Sequence, residues 1–99
     1  MPGASGASRK EQKRLEAETR NTRSKGRKAQ QQIVHHLEKQ IQQLEQRQAE
    51  LTAELEKPET YGAPGRAMQV NRELVAVQED LAALTAEWDT EATKLAGME

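Results

Sequence analysis

Large apolar residues fall at Val34, Leu37, Ile41 and Leu44 and then at Leu51 and Leu55, with Gln48 holding the position skipped between them. The same alternation of three- and four-residue steps resumes at Ala67, Val70, Leu74, Val77, Leu81, Leu84 and Trp88. Such steps, kept up over several heptads, mark a coiled-coil seam rather than a broad globular face. Between the two runs stand Pro58, Gly62, Pro64 and Gly65. Two helical runs joined by a short, breaker-rich loop fold back as an antiparallel hairpin. The expected fold class is all-α: an antiparallel two-helix coiled-coil hairpin over 30–96, its turn at about 58–65.

The first helix is expected to settle near Arg27 and to run to Glu56 or Lys57. Pro58 disfavours helical geometry in the residue before it. Pro64 is expected at the first position of the second helix, where a missing N–H costs nothing, and Gly97 is a fitting stop. Antiparallel seams pair a with d positions, so residue numbers within a layer share a constant sum. That arithmetic opposes Leu55 to Val70, Leu51 to Leu74, Gln48 to Val77, Leu44 to Leu81, Ile41 to Leu84 and Leu37 to Trp88. It sets Val34 against Glu91 and Gln30 against Leu95, so the seam weakens toward its open end. Gln48 fixes register, and Trp88 fills the core near that end. Tyr61 is expected to fold back over the last turn of the first helix; the other reading is an exposed contact. Glu54 and Lys57 are spaced for an i, i+3 ion pair.

Ahead of the hairpin the pattern changes. Residues 1–8 are small and rich in Gly, Ser and Pro, the composition of a flexible linker. Residues 9–29 form a basic arm, partly helical or flexible, in which Leu15 is the only large apolar residue. A helix with so little to bury is marginal alone. Asn21 to Gly26 collects residues that favour turns and caps, so a break or hinge is expected there.

Composition narrows the class. One small domain fits in 99 residues, and with 34% apolar residues and no Phe it has no means to bury a broad core. The absence of Cys excludes disulfides and thiolate metal sites. No apolar run approaches a membrane span and no secretory signal pattern is present, so a cytoplasmic location without membrane contact is the expectation. The net charge of −1 conceals two opposite halves. Residues 1–33 carry nine Lys or Arg against three Glu, and 34–99 carry six against thirteen acidic residues. A basic arm on an acidic stalk suits an anionic partner, although such runs also serve as solvated linkers.

Candidate chemistry is therefore sparse. No Walker-type phosphate loop occurs. His35 and His36 are adjacent and point about 100° apart on a helix, so they are expected to be solvated rather than metal-bound. Carboxylates on a rod have no enclosing pocket to tune them. Neither catalytic residues, nor a cofactor, nor a small-molecule substrate is expected. The one functional signal is the arm: Arg9, Lys10, Lys13, Arg14, Arg20, Arg23, Lys25, Arg27 and Lys28. Lys10, Lys13 and Arg14 share a helical face, and Arg20, Arg23 and Arg27 continue at similar spacing. Phosphates attract such arrays through charge and counterion release, without sequence preference. No aromatic is interleaved, so stacking on single strands is not supported.

Three stretches carry a family resemblance. They are Ser8 to Glu16 (a lysine–glutamate–glutamine entry segment), Leu51 to Tyr61 (a leucine-rich helix end with a Pro-x-x-Tyr turn), and Asn71 to Trp88 (a second helix with a late tryptophan). Together they resemble the C-terminal coiled-coil domain of ABC-F ATPases of the Uup type over most of 8–95. The resemblance implies a hairpin tail following two nucleotide-binding domains, nucleic-acid binding, and a cytoplasmic parent ATPase tied to the ribosome and translation or to DNA. The parent's ATPase motifs are not in these residues, so the chain would be an excised domain. One departure stands out: Thr19 to Gln31 sets the entry segment farther from the seam than is usual in the family. The partner expected first is duplex DNA or structured RNA, bound by the arm. The alternative is a protein-interaction stalk that contacts a ribosomal protein or a domain of the parent ATPase. A third reading is a self-associating coiled coil.

Overall fold

The computed structural model describes residues 2–98, with side chains from Lys10 onward. Three helices follow in order: α1 (Pro2–Leu55), α2 (Pro58–Gly62) and α3 (Arg66–Ala96). α1 and α3 pack antiparallel along one seam, giving a rod of 91 × 16 × 15 Å. The all-α hairpin expected from the apolar rhythm is the fold observed.

The seam is thin. Val34, Leu37, Leu51, Val70 and Val77 are its buried apolar residues among those described. Leu44, Leu55, Leu74 and Leu81 pack on the cluster of Leu51, Val70 and Val77 while staying partly exposed. These are the side chains that the a/d pairing places in successive layers. With one residue from each helix per layer, a partner covers only one side, so full burial is confined to a few positions. Gln48 is half-buried within the row. Trp88 is also half-buried, and its Nε1 donates to Glu38 Oε1 at 3.3 Å.

The turn is more ordered than a loop. α1 stops at Leu55, and Pro58 starts a single helical turn, α2, whose side chains cap α1. Glu56 N donates to Ala53 O and Lys57 N to Glu54 O. The buried Thr60 hydroxyl donates to Glu54 O at 2.6 Å, and the Tyr61 hydroxyl donates to Leu55 O at 2.6 Å. Carbonyls that a helix end leaves without partners are thus satisfied by the segment that follows it. Tyr61 folds back as expected, but its ring stays 64% exposed. Arg66, not Pro64, opens α3. Gly65 precedes it at φ 74°, a left-handed conformation that costs a residue with a Cβ about 1–2 kcal/mol.

Electrostatic ties cross the turn and the seam. Arg66 Nε donates to Glu54 Oε1 at 2.8 Å, and its Nη2 reaches the same oxygen. Glu54 therefore takes a partner across the turn where Lys57 was expected. Arg47 grips Glu73 on α3 through Nε and Nη2 (2.9 and 2.6 Å) and Glu50 on its own helix at 3.1 Å. These carboxylates hold the Arg47 guanidinium above its ordinary pKa, Glu73 contributing most.

Two expectations at the N-terminal side fail. The segment 1–8, read as a linker, joins α1 from Pro2 onward, while Met1 lies outside the described residues. Proline is acceptable in a first turn, and Gly3 and Gly6 each cost only about 1 kcal/mol relative to Ala. The break or hinge at Asn21–Gly26 is likewise absent, and α1 is continuous through it. Residues that compete with helices do so by drawing the backbone into local side-chain bonds. Here Thr19 and Thr22 spend their hydroxyls on the carbonyls of Leu15 and Glu18, four residues back (2.8 and 2.9 Å), which is compatible with the helix. No proline interrupts the stretch, and Gly26 alone is not enough to stop it.

Candidate nucleic-acid interface

The long α1 outruns its partner. Gln30 is buried at the open end and donates through Nε2 to the backbone oxygen of Glu91 (2.9 Å) and to its carboxylate (2.6 Å). The layer arithmetic set Gln30 against Leu95, one helical turn further on. Leu95 has only a backbone oxygen, which accepts from Met98 N, whereas Glu91 adds a carboxylate to its own. Its bond from Gln30, reinforced by Lys94 at 3.2 Å, holds the Glu91 carboxyl below its ordinary pKa. Past this latch, Met98 lies with Arg23, Gly26 and Arg27 around a groove at the end of the hairpin. Residues 2–22 project beyond it as a lone helix, roughly 31 Å at about 1.5 Å per residue.

Every side chain from Lys10 to Ala29 is exposed, Leu15 at 61%. The hairpin's apolar stripe thus ends where α3 ends, and the helix beyond it is polar all round. A projecting helix without a partner has no core to face.

The nine basic residues do not form one stripe. At about 100° per residue, Lys10, Lys13, Arg14, Arg20, Lys25 and Lys28 lie within about 70° of a common direction. Arg23 and Arg27 do not continue that face as their spacing suggested; they turn toward the seam side, against the groove with Met98. Arg9 belongs to the same helix, and its side chain lies outside the described residues. Glu11, Glu16 and Glu18 all fall outside the basic face, so that face is cationic without interruption between residues 10 and 28. The i, i+3, i+4 spacing of Lys10, Lys13 and Arg14 signalled its start. Its extent follows only from α1 being continuous, which the turn-forming composition of 21–26 concealed.

The rest of the rod offers little chemistry. Its indentations are open grooves, such as that lined by Ile33, Leu37 and Leu84. His35 and His36 are exposed. Among the described residues, no three His, Asp or Glu side chains gather as a metal site, and no helix is long and apolar enough to cross a membrane.

The sequence profile of the family described as the ABC transporter C-terminal domain matches residues 6–90, covering the basic arm and the hairpin as far as Thr90. No curated protein and no solved structure matches the chain.

Proposed function

Because the chain belongs to the ABC transporter C-terminal domain family, an accessory domain rather than an ATPase core, we propose that it serves an ABC-F-type ATPase as a nucleic-acid-binding tail. The hairpin is the stalk and the basic arm is the binding element. One observation supports this above others: α1 continues past the end of α3 as an exposed helix with an uninterrupted cationic face. Lys and Arg set along one face of a helix meet phosphates together, and they release condensed counterions on binding. The hairpin surface, with its excess of carboxylates, repels phosphate and leaves the arm as the only favourable approach.

Binding of the 99-residue chain to labelled duplex DNA and structured RNA, titrated against salt, tests this. Four or more phosphate contacts give a slope of log affinity against log salt of about −3.6 or steeper. Reversing charge at Lys13, Arg14 and Arg20 should remove most of the affinity and flatten the slope. The hairpin's melting temperature should not move, since these residues touch nothing in the seam. Affinity unchanged by the triple reversal would sink the proposal and move the function to the hairpin surface and the exposed Tyr61, as a protein-contact stalk.

A further inference from the structure

The arrangement of residues around the projecting part of α1 goes further than a count of charges. On the basic face, Lys13 and Arg20 stand to one side of the midline and Arg14 and Lys25 to the other, each roughly 50–70° away from it at about 100° per residue. Between these flanks, over residues 11–27, the midline holds Ala17, Asn21 and Ser24, at i, i+4 and i+7, none of which carries charge or bulk, while Lys10 and Lys28 close the strip at its two ends. All three are exposed. The three glutamates of the arm stand about 90–110° off the midline. The seam direction, where α3 would continue, is about 130° away, so the hairpin is not in the way of anything that covers this face.

We propose that residues 10–28 of α1 lie lengthwise in the major groove of B-form duplex DNA, a mode that rests on the nucleic-acid-binding reading above. The B-form major groove is about 12 Å wide and about 8.5 Å deep, and it admits one α-helix. A helix seated in it has a phosphate wall on each side and base edges beneath. The two basic flanks meet the two walls. The narrow middle strip meets the floor, where Lys or Arg flanks alone would hold the helix too high. Residues 10–28 span about 27 Å, and because the groove winds around the duplex a straight helix sits deepest at its middle, which is where Ala17, Asn21 and Ser24 stand. Asn21 is the one side chain of the strip able to donate and accept at an adenine edge, and Ser24 is able to bond with any base. The major groove of A-form RNA is deep and narrow and does not accept a helix. The geometry therefore selects duplex DNA over duplex RNA.

The test compares two single glutamate insertions on the full chain, Ala17→Glu on the groove floor and Thr22→Glu on the opposite face. Both add one negative charge to the same helix and both residues are exposed, and circular dichroism of each variant shows whether the arm keeps its helix, since Thr22 also gives up its bond to the Glu18 carbonyl. In the groove mode Ala17→Glu weakens binding to a DNA duplex by about tenfold or more, and Thr22→Glu by no more than about threefold. The unaltered chain should also bind the DNA duplex at least about tenfold tighter than an RNA duplex of the same sequence. Equal losses from the two variants, together with equal binding of both duplexes, overturn the groove mode and leave a phosphate-binding arm standing. Absence of binding to either duplex at low salt overturns the nucleic-acid reading itself.

Discussion

At the scale of single residues, the hairpin depends on side chains that do unshared work at its two ends. Tyr61 and Thr60 complete the carbonyl end of α1 with two 2.6 Å bonds, which gives the Pro-x-x-Tyr turn its physical meaning. Tyr61→Phe keeps the ring and removes one bond, and should lower stability by about 0.5–1.5 kcal/mol in urea melts. No change would mean that water replaces the hydroxyl at no cost. At the other end the Glu91 carboxylate accepts from Gln30 first and Lys94 second, and its pKa lies below the ordinary 4.5. A depressed folded-state pKa adds stability that is present above the unfolded value and lost as pH falls through the folded one. The melting temperature of the unaltered chain should therefore exceed that of Glu91→Gln near neutrality, and the gap should close as pH drops below the usual carboxylate range. No gap near neutrality would show that the Glu91 backbone oxygen, which the variant keeps, alone holds the latch.

At the scale of elements, what the sequence made legible and what it hid divide along one line. Apolar periodicity reports packing, so α3, the second half of α1 and the partition of Leu51, Val70 and Val77 into one seam were readable from spacing. Where nothing packs, periodicity is silent and local propensity is a poor substitute. Asn21, Thr22, Ser24 and Gly26 favour turns as isolated residues, yet each costs a helix less than about 1 kcal/mol, and the Thr hydroxyls find i−4 carbonyls. The continuity of α1, and with it the alignment of Lys10 with Lys28 on one face, was hidden for that reason. Pairings made by long side chains, such as Glu54 with Arg66 rather than Lys57, were hidden because several partners lie within reach. Continuity has a direct test in Asn21→Pro. Proline in a helix interior costs about 3 kcal/mol or more, but residue 21 is remote from the seam, so the hairpin's melting temperature should hold. Affinity for a DNA duplex should fall, because the basic residues before and after the kink no longer share a face. Unchanged affinity would show that the arm binds as a string of charges rather than as a rod.

At the scale of the whole molecule, one helix serves two regimes of stability. From Gln30 onward, α1 is held by burial against α3. Before Arg23 it is held by its own hydrogen bonds, to which the Thr19 and Thr22 hydroxyls add two. A lone helix of about twenty residues is near the margin for stability in water, so the two halves should melt separately. Far-ultraviolet circular dichroism of the full chain should show a gradual loss of helix well below a sharper, cooperative step belonging to the hairpin. In the proposed groove mode, phosphate walls on both sides would neutralise the mutual repulsion of six cations along the arm, so ligand should stabilise that half alone. Added duplex DNA should flatten the early slope and leave the cooperative midpoint nearly in place. A single sharp transition with no early slope would mean that the arm and hairpin melt as one body. The last buried residue of α1 on the seam is Gln30, and the groove that Met98 shares with Arg23, Gly26 and Arg27 beyond it is a small contact to join the two.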